Sequence, residues 1–338
     1  MTFFILEAGV NHGGSLQDAI NLVHAAARTG AGAVKFQTYT AERLAAPLSP
    51  SYWDLEEEPT TSQIELFKKY DAFTTLDYFR LAEECAKNNI EFMTTCFDEY
   101  WVSELDQILK KYKVASADIT NFQLLRAFAR TGKPIYLSTG AATLLEIKDA
   151  IKEIQKHSSA SITLMHCVLN YPTNSKNANL SRITILKQKF SDFEIGYSDH
   201  TKPEFSRIAI ASARALGATV FEKHFTLDKS LKGNDHYHAY DEFDVQQTVK
   251  DLHLLNDALH FDEPKFIEIQ QDARKYARRG LYLKRDVLEG ETVLETDLIP
   301  LRPISDGSLA SEKIFEILGK KYNRDLLKLQ PLMEDDLI

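Results

Sequence analysis

Cysteine is scarce. Cys85, Cys96 and Cys167 are the only three, and none stands in CxxC spacing. An odd, scattered set argues against a disulfide framework or a zinc ribbon and reads as small buried hydrophobes in a reducing compartment. Positive charge is also short. With 40 Lys and Arg against 49 Asp and Glu, the formal net charge is -9. That disfavours a nucleic-acid surface, because neutralising phosphates needs a basic face. An acidic chain can still hold a small anion if lysines converge locally. No apolar run approaches the ~20 residues needed to cross a bilayer. The opening Thr2-Phe3-Phe4-Ile5-Leu6-Glu7 carries no basic leader, so neither a signal peptide nor a membrane partner is expected, and a cytoplasmic location is.

What is present is the composition of a globular protein with a proper core, 44% hydrophobic and 26% charged. The 338 residues suit one large barrel with a small appendage, or two medium domains. Short apolar runs predict strands at 3–6, 33–36, 91–94, 114–115, 134–137, 162–166, 193–197 and 220–223. Amphipathic segments such as 16–28, 76–88, 124–131, 144–156 and 204–216 lie between them. Strands alternating with helices predict parallel βαβ units, and eight of them close a (β/α)₈ TIM barrel.

A barrel of this kind gathers its chemistry at the C-terminal ends of its strands. Polar groups stand at every one: Glu7, Lys35 with Gln37, Thr94-Thr95, Lys113 with Ser116, Ser138-Thr139-Gly140, His166, Ser198-Asp199-His200, and Glu222 with His224. Lys35 and Lys113, with hydroxyls at Thr95, Ser116, Ser138 and Ser198, suit the phosphate and carboxylate of a small anion. His200 and His224 end neighbouring strands, where two imidazoles can share a divalent ion or act as acid/base groups. His236 and His238 are further candidates, or loop histidines without a role. Glu7 and Glu222 end the first and last strands, adjacent once the barrel closes. One can be a general base for water and the other a ligand for a sugar hydroxyl, or both can form a structural ion pair with nearby lysines.

After Asp262-Glu263-Pro264 the pattern changes to short, charged, turn-rich stretches. Arg285-Asp286 to Asp297-Leu298 resembles Arg324-Asp325 to Asp336-Leu337, with Leu288/Leu327 and Glu295/Glu334 in register. This self-similarity predicts a small pseudo-symmetric β domain. The expected division is a barrel at 1–262, a linker at 263–277 and the small domain at 278–338.

Taken together, the motifs resemble the sialic acid synthase family. They are Glu7-Ala8-Gly9-Val10-Asn11-His12-Gly13-Gly14, Val34-Lys35-Phe36-Gln37-Thr38, Thr94-Thr95-Cys96-Phe97-Asp98 and Lys113-Val114-Ala115-Ser116. They continue as Pro134-Ile135-Tyr136-Leu137-Ser138-Thr139-Gly140, Asn170-Tyr171-Pro172-Thr173, Gly196-Tyr197-Ser198-Asp199-His200-Thr201 and Glu222-Lys223-His224-Phe225-Thr226. Their order and spacing match the family across nearly the whole chain, and residues 278–338 resemble its C-terminal antifreeze-like (SAF) domain.

The resemblance implies a phosphoenolpyruvate-dependent transferase that joins phosphoenolpyruvate to an N-acylated hexosamine and makes a nonulosonic acid. By the same resemblance, His200 and His224 would hold manganese or magnesium. Lys35, Thr95, Lys113, Ser116, Ser138 and Ser198 would hold phosphoenolpyruvate, and Glu7 would manage the water or proton step. Gln37, Tyr171, Glu222, Asp235 and, across a domain-swapped homodimer, Arg302 would hold the sugar. The chain departs from the family pattern at Leu169, at Asp118, at His236-Tyr237-His238-Ala239-Tyr240-Asp241 and after Arg302-Pro303. Most departures fall on the sugar side, so a substrate other than N-acetylmannosamine is expected, such as a diacetamido-trideoxyhexose. Two other readings stay open: a synthase for a deaminated or eight-carbon ulosonic acid, and a catalytically silent carbohydrate-binding barrel.

Overall fold

The computed structural model describes residues 2–233 and 235–338. They fall into two compact units, one ending at Leu259 and one spanning His260–Ile338. In the first unit the strands β1 (Phe3–Gly9), β2 (Ala33–Thr38), β3 (Glu91–Cys96) and β4 (Tyr112–Val114) are followed by β5 (Ile135–Ser138), β6 (Ile162–His166), β7 (Glu194–Asp199) and β8 (Val220–His224). Every pairing is parallel, in the order β3-β2-β1-β8-β7-β6-β5-β4. β3 and β4 lie side by side without a hydrogen-bonded ladder among the described residues, so the circle is nearly closed. A helix follows each strand, from Leu16–Ala27 after β1 to Glu242–Leu259 after β8. This is the TIM-barrel architecture. No described helix is long and apolar enough to cross a membrane.

Residue parity within each strand decides what faces the barrel axis. Phe4, Leu6, Val34, Phe36, Leu137, Leu164, Ile195 and Phe221 pack outward against the helices in one large core. The alternate residues Ile5, Ala33, Met93, Tyr136, Met165 and Val220 form a separate cluster inside the barrel. Two residues further along each strand, the same inward face carries Glu7, Lys35, Thr95, Ser138, Cys167 and Glu222. The apolar layer is thus the floor on which a polar layer stands, as the period of two requires. Gly140 is required by this layer. A Cβ there would lie 2.8 Å from both Cys167 Sγ and Ser116 Oγ, and its N–H donates to Ser116 Oγ at 3.0 Å.

The C-terminal unit opens with two short helices, Glu263–Glu268 and Gln271–Tyr276, neither of which buries a residue. They occupy the stretch expected as a linker. Beyond them β9 (Gly280–Leu283) and β10 (Leu298–Leu301) pair antiparallel, over a core of Leu281, Leu283, Val287, Val293, Tyr322, Leu326 and Leu332. The internal repeat is a structural pseudo-twofold. Arg285 Nε donates to the buried Asp297 at 2.8 Å, and Arg324 Nε to the buried Asp336 at 2.7 Å. Val287 and Leu326 exchange backbone hydrogen bonds of 3.0 Å in both directions. The two halves also trade caps: Glu289 N–H donates to Asp325 at 2.8 Å and Lys328 N–H to Asp286 at 2.7 Å. Each of the two buried aspartates accepts both a guanidinium and a backbone N–H. Asp297→Asn and Asp336→Asn are therefore expected to destabilise the unit by similar amounts. The cost is about 1.5–3 kcal/mol each, the range for hydrogen bonds to a charged group. Chemical unfolding of the two variants checks both size and equality.

Candidate active site

The inward polar layer opens into a cavity of about 620 Å³ at the C-terminal ends of the strands. Glu7, Lys35, Gln37, Thr95, Lys113, Ser116 and Ser138 line it from the first five strands and their loops. Tyr171, Ser198, His200, Glu222, His224 and Asp235 line it from the rest. Arg302 alone of the expected site residues belongs to the other unit. It is exposed and has no ion-pair or hydrogen-bond partner among the described residues.

Register explains the grouping. Glu7 pairs with Lys35 on one side and with His224 on the other, and Ser198 pairs with Glu222. Lys35 Nζ lies 2.5 Å from Glu7 and 3.9 Å from Glu222, and donates to Thr95 Oγ1 at 3.0 Å. Lys113 Nζ lies 3.3 Å from the other oxygen of Glu222, which also accepts from Ser198 Oγ at 2.9 Å. Ser116 Oγ is 2.8 Å from Cys167 Sγ, and Ser138 Oγ is buried with no hydrogen-bond partner among the described residues. Two buried ammonium groups and several hydroxyls therefore line one cavity. The Glu222 carboxylate occupies the place between the lysines that a bound anion would contest.

The two glutamates are driven apart. Burial pushes the Glu7 carboxyl up, opposed by Lys35 and reinforced by repulsion from Glu222. Burial works on Glu222 too, but Lys113, Lys35 and the Ser198 hydroxyl outweigh it and hold that group well below the usual carboxylate range. A pair separated this way supplies one permanent anion and one carboxyl able to carry a proton. Asp235 is raised to about 7, first by burial and then by the charge of Glu7. Gln37 Nε2 donates to Glu7 at 3.0 Å and fixes its orientation.

The rings of His200 and His224 lie 5.4 Å apart, with the Tyr171 ring tilted against His200 at 4.2 Å. His200 Nδ1 is 2.7 Å from the Val168 carbonyl. A carbonyl only accepts, so that nitrogen carries the proton and Nε2 keeps its lone pair, the arrangement of a metal-ligating histidine. Burial lowers His200 to about 4, and burial with the neighbouring histidines holds His224 well below its ordinary value. Neutral imidazoles with available lone pairs fit a divalent cation. His224 Nδ1 is also 3.5 Å from the Asp235 carboxylate.

Some strand-end residues face the other way. His166 was expected in the ring of chemistry, but its Nε2 lies 2.9 Å from the Ala178 carbonyl and its ring stacks on Tyr197. Asp199 is held by Lys223 at 2.8 Å and by the hydroxyls of Tyr197, Thr201 and Ser206. Both have the outward parity of their strands. A strand end places a residue at the rim, and parity decides which side of the wall it occupies.

One wall was not foreseen. The segment between β2 and the helix Thr75–Lys87 contributes Leu44, Tyr52, Trp53, Leu66, Phe67 and Tyr70 to the cavity. The Trp53 indole N–H donates to the carbonyls of Glu58 and Thr60, each at 3.1 Å. The density of aromatic residues in 52–70 was the available signal, but without period it fixes no element. Leu169 and Asp118, both departures from the expected pattern, also line the cavity, and burial pushes Asp118 up to about 6.

Comparison with known proteins matches residues 22–263 to the NeuB family and residues 278–338 to the SAF domain. The N,N'-diacetyllegionaminic acid synthase of Legionella pneumophila is 35% identical over 331 residues, which cover 96% of this chain and 91% of that protein. The pseudaminic acid synthase of Helicobacter pylori is 32% identical, covering 98% of this chain and 97% of that one. Among solved structures, the N-acetylneuraminic acid (sialic acid) synthetase of Leptospira borgpetersenii, in complex with citrate, superposes with a TM-score of 0.69 at 34% identity. It covers 81% of this chain and 92% of its own. With a matched barrel, a matched C-terminal domain and relatives of this similarity along its length, the chain belongs to the NeuB family and ends in a SAF domain.

Proposed function

We propose that this chain is a phosphoenolpyruvate-dependent synthase that condenses phosphoenolpyruvate with the open-chain aldehyde of an N-acylated amino sugar, giving a nonulosonic acid and phosphate. The observation that carries the reading is the pair of buried cations, Lys35 and Lys113, within a hydroxyl ring whose member Ser138 has no hydrogen-bond partner among the described residues. Such a ring suits the phosphate and carboxylate of one small anion. A divalent cation held by His200 and His224 would polarise the aldehyde oxygen.

The bond changes balance as follows. C3 of phosphoenolpyruvate forms a bond to the aldehyde carbon, and the aldehyde oxygen takes a proton to become a hydroxyl. Water adds its oxygen to C2 and loses a proton, for which Glu7 is the placed base. The C2–O bond to phosphate then breaks, phosphate leaves with the electron pair and takes up the proton of the C2 hydroxyl, and C2 closes to a carbonyl. Glu7 suits both directions of proton traffic because its carboxyl is raised and oriented by Gln37. Gln37, Tyr171, Asp235 and Glu222 stand where the sugar would lie. The apolar side formed by Leu44, Leu66, Phe67, Tyr52 and Trp53 favours a sugar with deoxy carbons and a second acetamido group, as in the diacetamido-trideoxyhexose route to legionaminic acid.

The reading extends to a cytoplasmic homodimer in which the exposed Arg302 of one copy serves the sugar pocket of the other. Its guanidinium, without a partner among the described residues, supports this, and size-exclusion chromatography with light scattering tests it. The central experiment measures phosphate release from phosphoenolpyruvate with Mn²⁺ and a panel of N-acyl hexosamines and their deoxy relatives, followed by product mass analysis. Release with a diacetamido sugar is expected. No release with any aldose refutes the condensation, and turnover of N-acetylmannosamine alone refutes the choice of sugar.

A further inference from the structure

Between β2 and the helix Thr75–Lys87 the chain forms a strap whose ends meet. Ser51 N–H donates to the Thr61 carbonyl at 3.0 Å, and Gln63 N–H to the Ser49 carbonyl at 2.9 Å. Residues 51–61 thus leave and return at one neck, a compact loop packed by its own side chains. Inside it Glu58 is 4% exposed. Its carboxylate accepts from the Thr60 N–H at 3.0 Å and from Lys69 Nζ at 2.8 Å. Lys69 also donates to the Thr60 hydroxyl. Lys69 belongs to the helix Gln63–Tyr70, whose Leu66 and Phe67 line the cavity. The buried carboxylate therefore latches the strap to a helix that is itself part of the wall.

Just inside the neck, Tyr52 and Trp53 meet edge to face at 5.6 Å, and both line the cavity. Burial and then the charge of Asp235 hold the Tyr52 phenol above its ordinary value, which sets this pair on the sugar side. Trp53 spends its one donor across the loop, on the carbonyls of Glu58 and Thr60. An indole has no other polar atom, so it offers the cavity carbon alone. A hydroxyl laid against that ring loses water and gains no hydrogen bond, whereas a methyl group gains by leaving water. We propose that Trp53, with Tyr52 beside it, is the specificity-determining platform for the sugar. It receives the deoxy carbon and the second N-acyl group of a diacetamido-trideoxyhexose and discriminates against the hydroxylated hexosamine. Lys69 is a positioning residue that acts through Glu58. This deepens the reading above and rests on it for the presence of an amino sugar in the cavity. Apolar contacts of this kind separate substrates that differ by a methylene or a hydroxyl by about 10- to 200-fold.

The test measures kcat and KM of the full chain, with Mn²⁺ and saturating phosphoenolpyruvate, for a diacetamido-trideoxyhexose and for N-acetylmannosamine. Trp53→Ala is expected to lower kcat/KM for the diacetamido sugar by about 10- to 200-fold, mostly through KM, and to change N-acetylmannosamine little. Lys69→Met should raise KM for the diacetamido sugar alone, leaving kcat and the KM of phosphoenolpyruvate in place, and Lys69→Arg should restore it. A strap that is only structural predicts equal losses with both sugars. The platform is overturned if Trp53→Ala leaves the ratio of the two kcat/KM values unchanged, or if the wild type prefers N-acetylmannosamine. Should Trp53→Ala not fold, Tyr52→Ala, at the more exposed neighbour, carries the same comparison. A second readout needs no turnover. Trp53 and Trp101 are the only two tryptophans, so in Trp101→Phe the indole emission reports Trp53. With phosphoenolpyruvate present, the diacetamido sugar should shift that emission, and N-acetylmannosamine at the same concentration should not. If the wild type releases no phosphate with any sugar, a selective shift refutes the condensation and leaves the platform standing. No shift refutes both.

Discussion

Lys35→Met is expected to lower phosphate release from phosphoenolpyruvate by about 10²- to 10³-fold, the loss that follows removal of one preorganised donor to a developing charge. Lys35 is the hub of the polar layer, touching Glu7, Glu222 and Thr95. Burial works against its charge, but Glu222 and Glu7 together hold its pKa above the ordinary lysine value. Its contribution to stability is therefore complete below the unfolded lysine pKa and is lost only as pH rises through the still higher folded value. Without the ammonium, Glu7 faces Glu222 with no cation of its own, whereas Glu222 keeps Lys113.

Breaking a buried pair by removing one partner costs about 3–5 kcal/mol. Glu7 has a way out, because its carboxyl is already raised and can take a proton. A carboxyl whose folded pKa lies above its unfolded one favours the folded state at low pH and loses that advantage as pH rises. The deficit of Lys35→Met should accordingly be largest at pH 8 and shrink toward pH 5, as urea unfolding at the two values will record. The double variant Glu7→Gln with Lys35→Met should recover most of the stability and none of the activity. If it recovers activity as well, Lys35 serves only to neutralise Glu7 and the anion-binding role fails.

The barrel was legible because strands and helices alternate with different periods, and the site because the polar residues at the strand ends share one parity. Glu7, Lys35, Ser198 and Glu222 each stand two residues beyond an inward-facing apolar or small residue. Parity was hard to assign in advance, since parallel strands buried on both faces read as nearly continuous apolar runs. That is why His166 and Asp199 looked like site residues and face the helices instead. The Arg285–Asp297 and Arg324–Asp336 contacts were readable as a repeat, because identical local contacts need identical residues at identical spacing. The aromatic wall of 41–74 was not. Its order comes from single contacts, such as the Trp53 indole on two carbonyls, which leave no periodic trace.

Lys223→Met should show the opposite balance, a large loss of stability with a smaller loss of chemistry. Lys223 and Asp199 are both 0% exposed and 2.8 Å apart on neighbouring strands, outside the cavity wall. The two groups are not perturbed symmetrically. Burial would raise Asp199, but Lys223 and the hydroxyls of Ser206 and Tyr197 hold it below its ordinary range. Lys223 stays below its own ordinary value because burial outweighs a single strong carboxylate contact. The carboxylate is thus the better-satisfied partner, and removing the lysine strands it, at a cost of about 3–5 kcal/mol. In the wild type the depressed Asp199 contributes stability above its unfolded pKa, lost only as pH falls through the lower folded value. In Lys223→Met burial pushes that carboxyl upward, so the gap between variant and wild type should be widest near pH 8 and narrow as Asp199 takes up a proton at acid pH. Adding Asp199→Asn should recover much of the loss by removing the stranded charge. Because Asp199 and Lys223 are registered next to Ser198 and Glu222, some turnover will be lost through position alone, and the double variant should regain it. Lys35→Met with Glu7→Gln should be stable and inactive, and Lys223→Met with Asp199→Asn stable and active. That contrast separates the anion-binding face of the wall from the face that holds it in place.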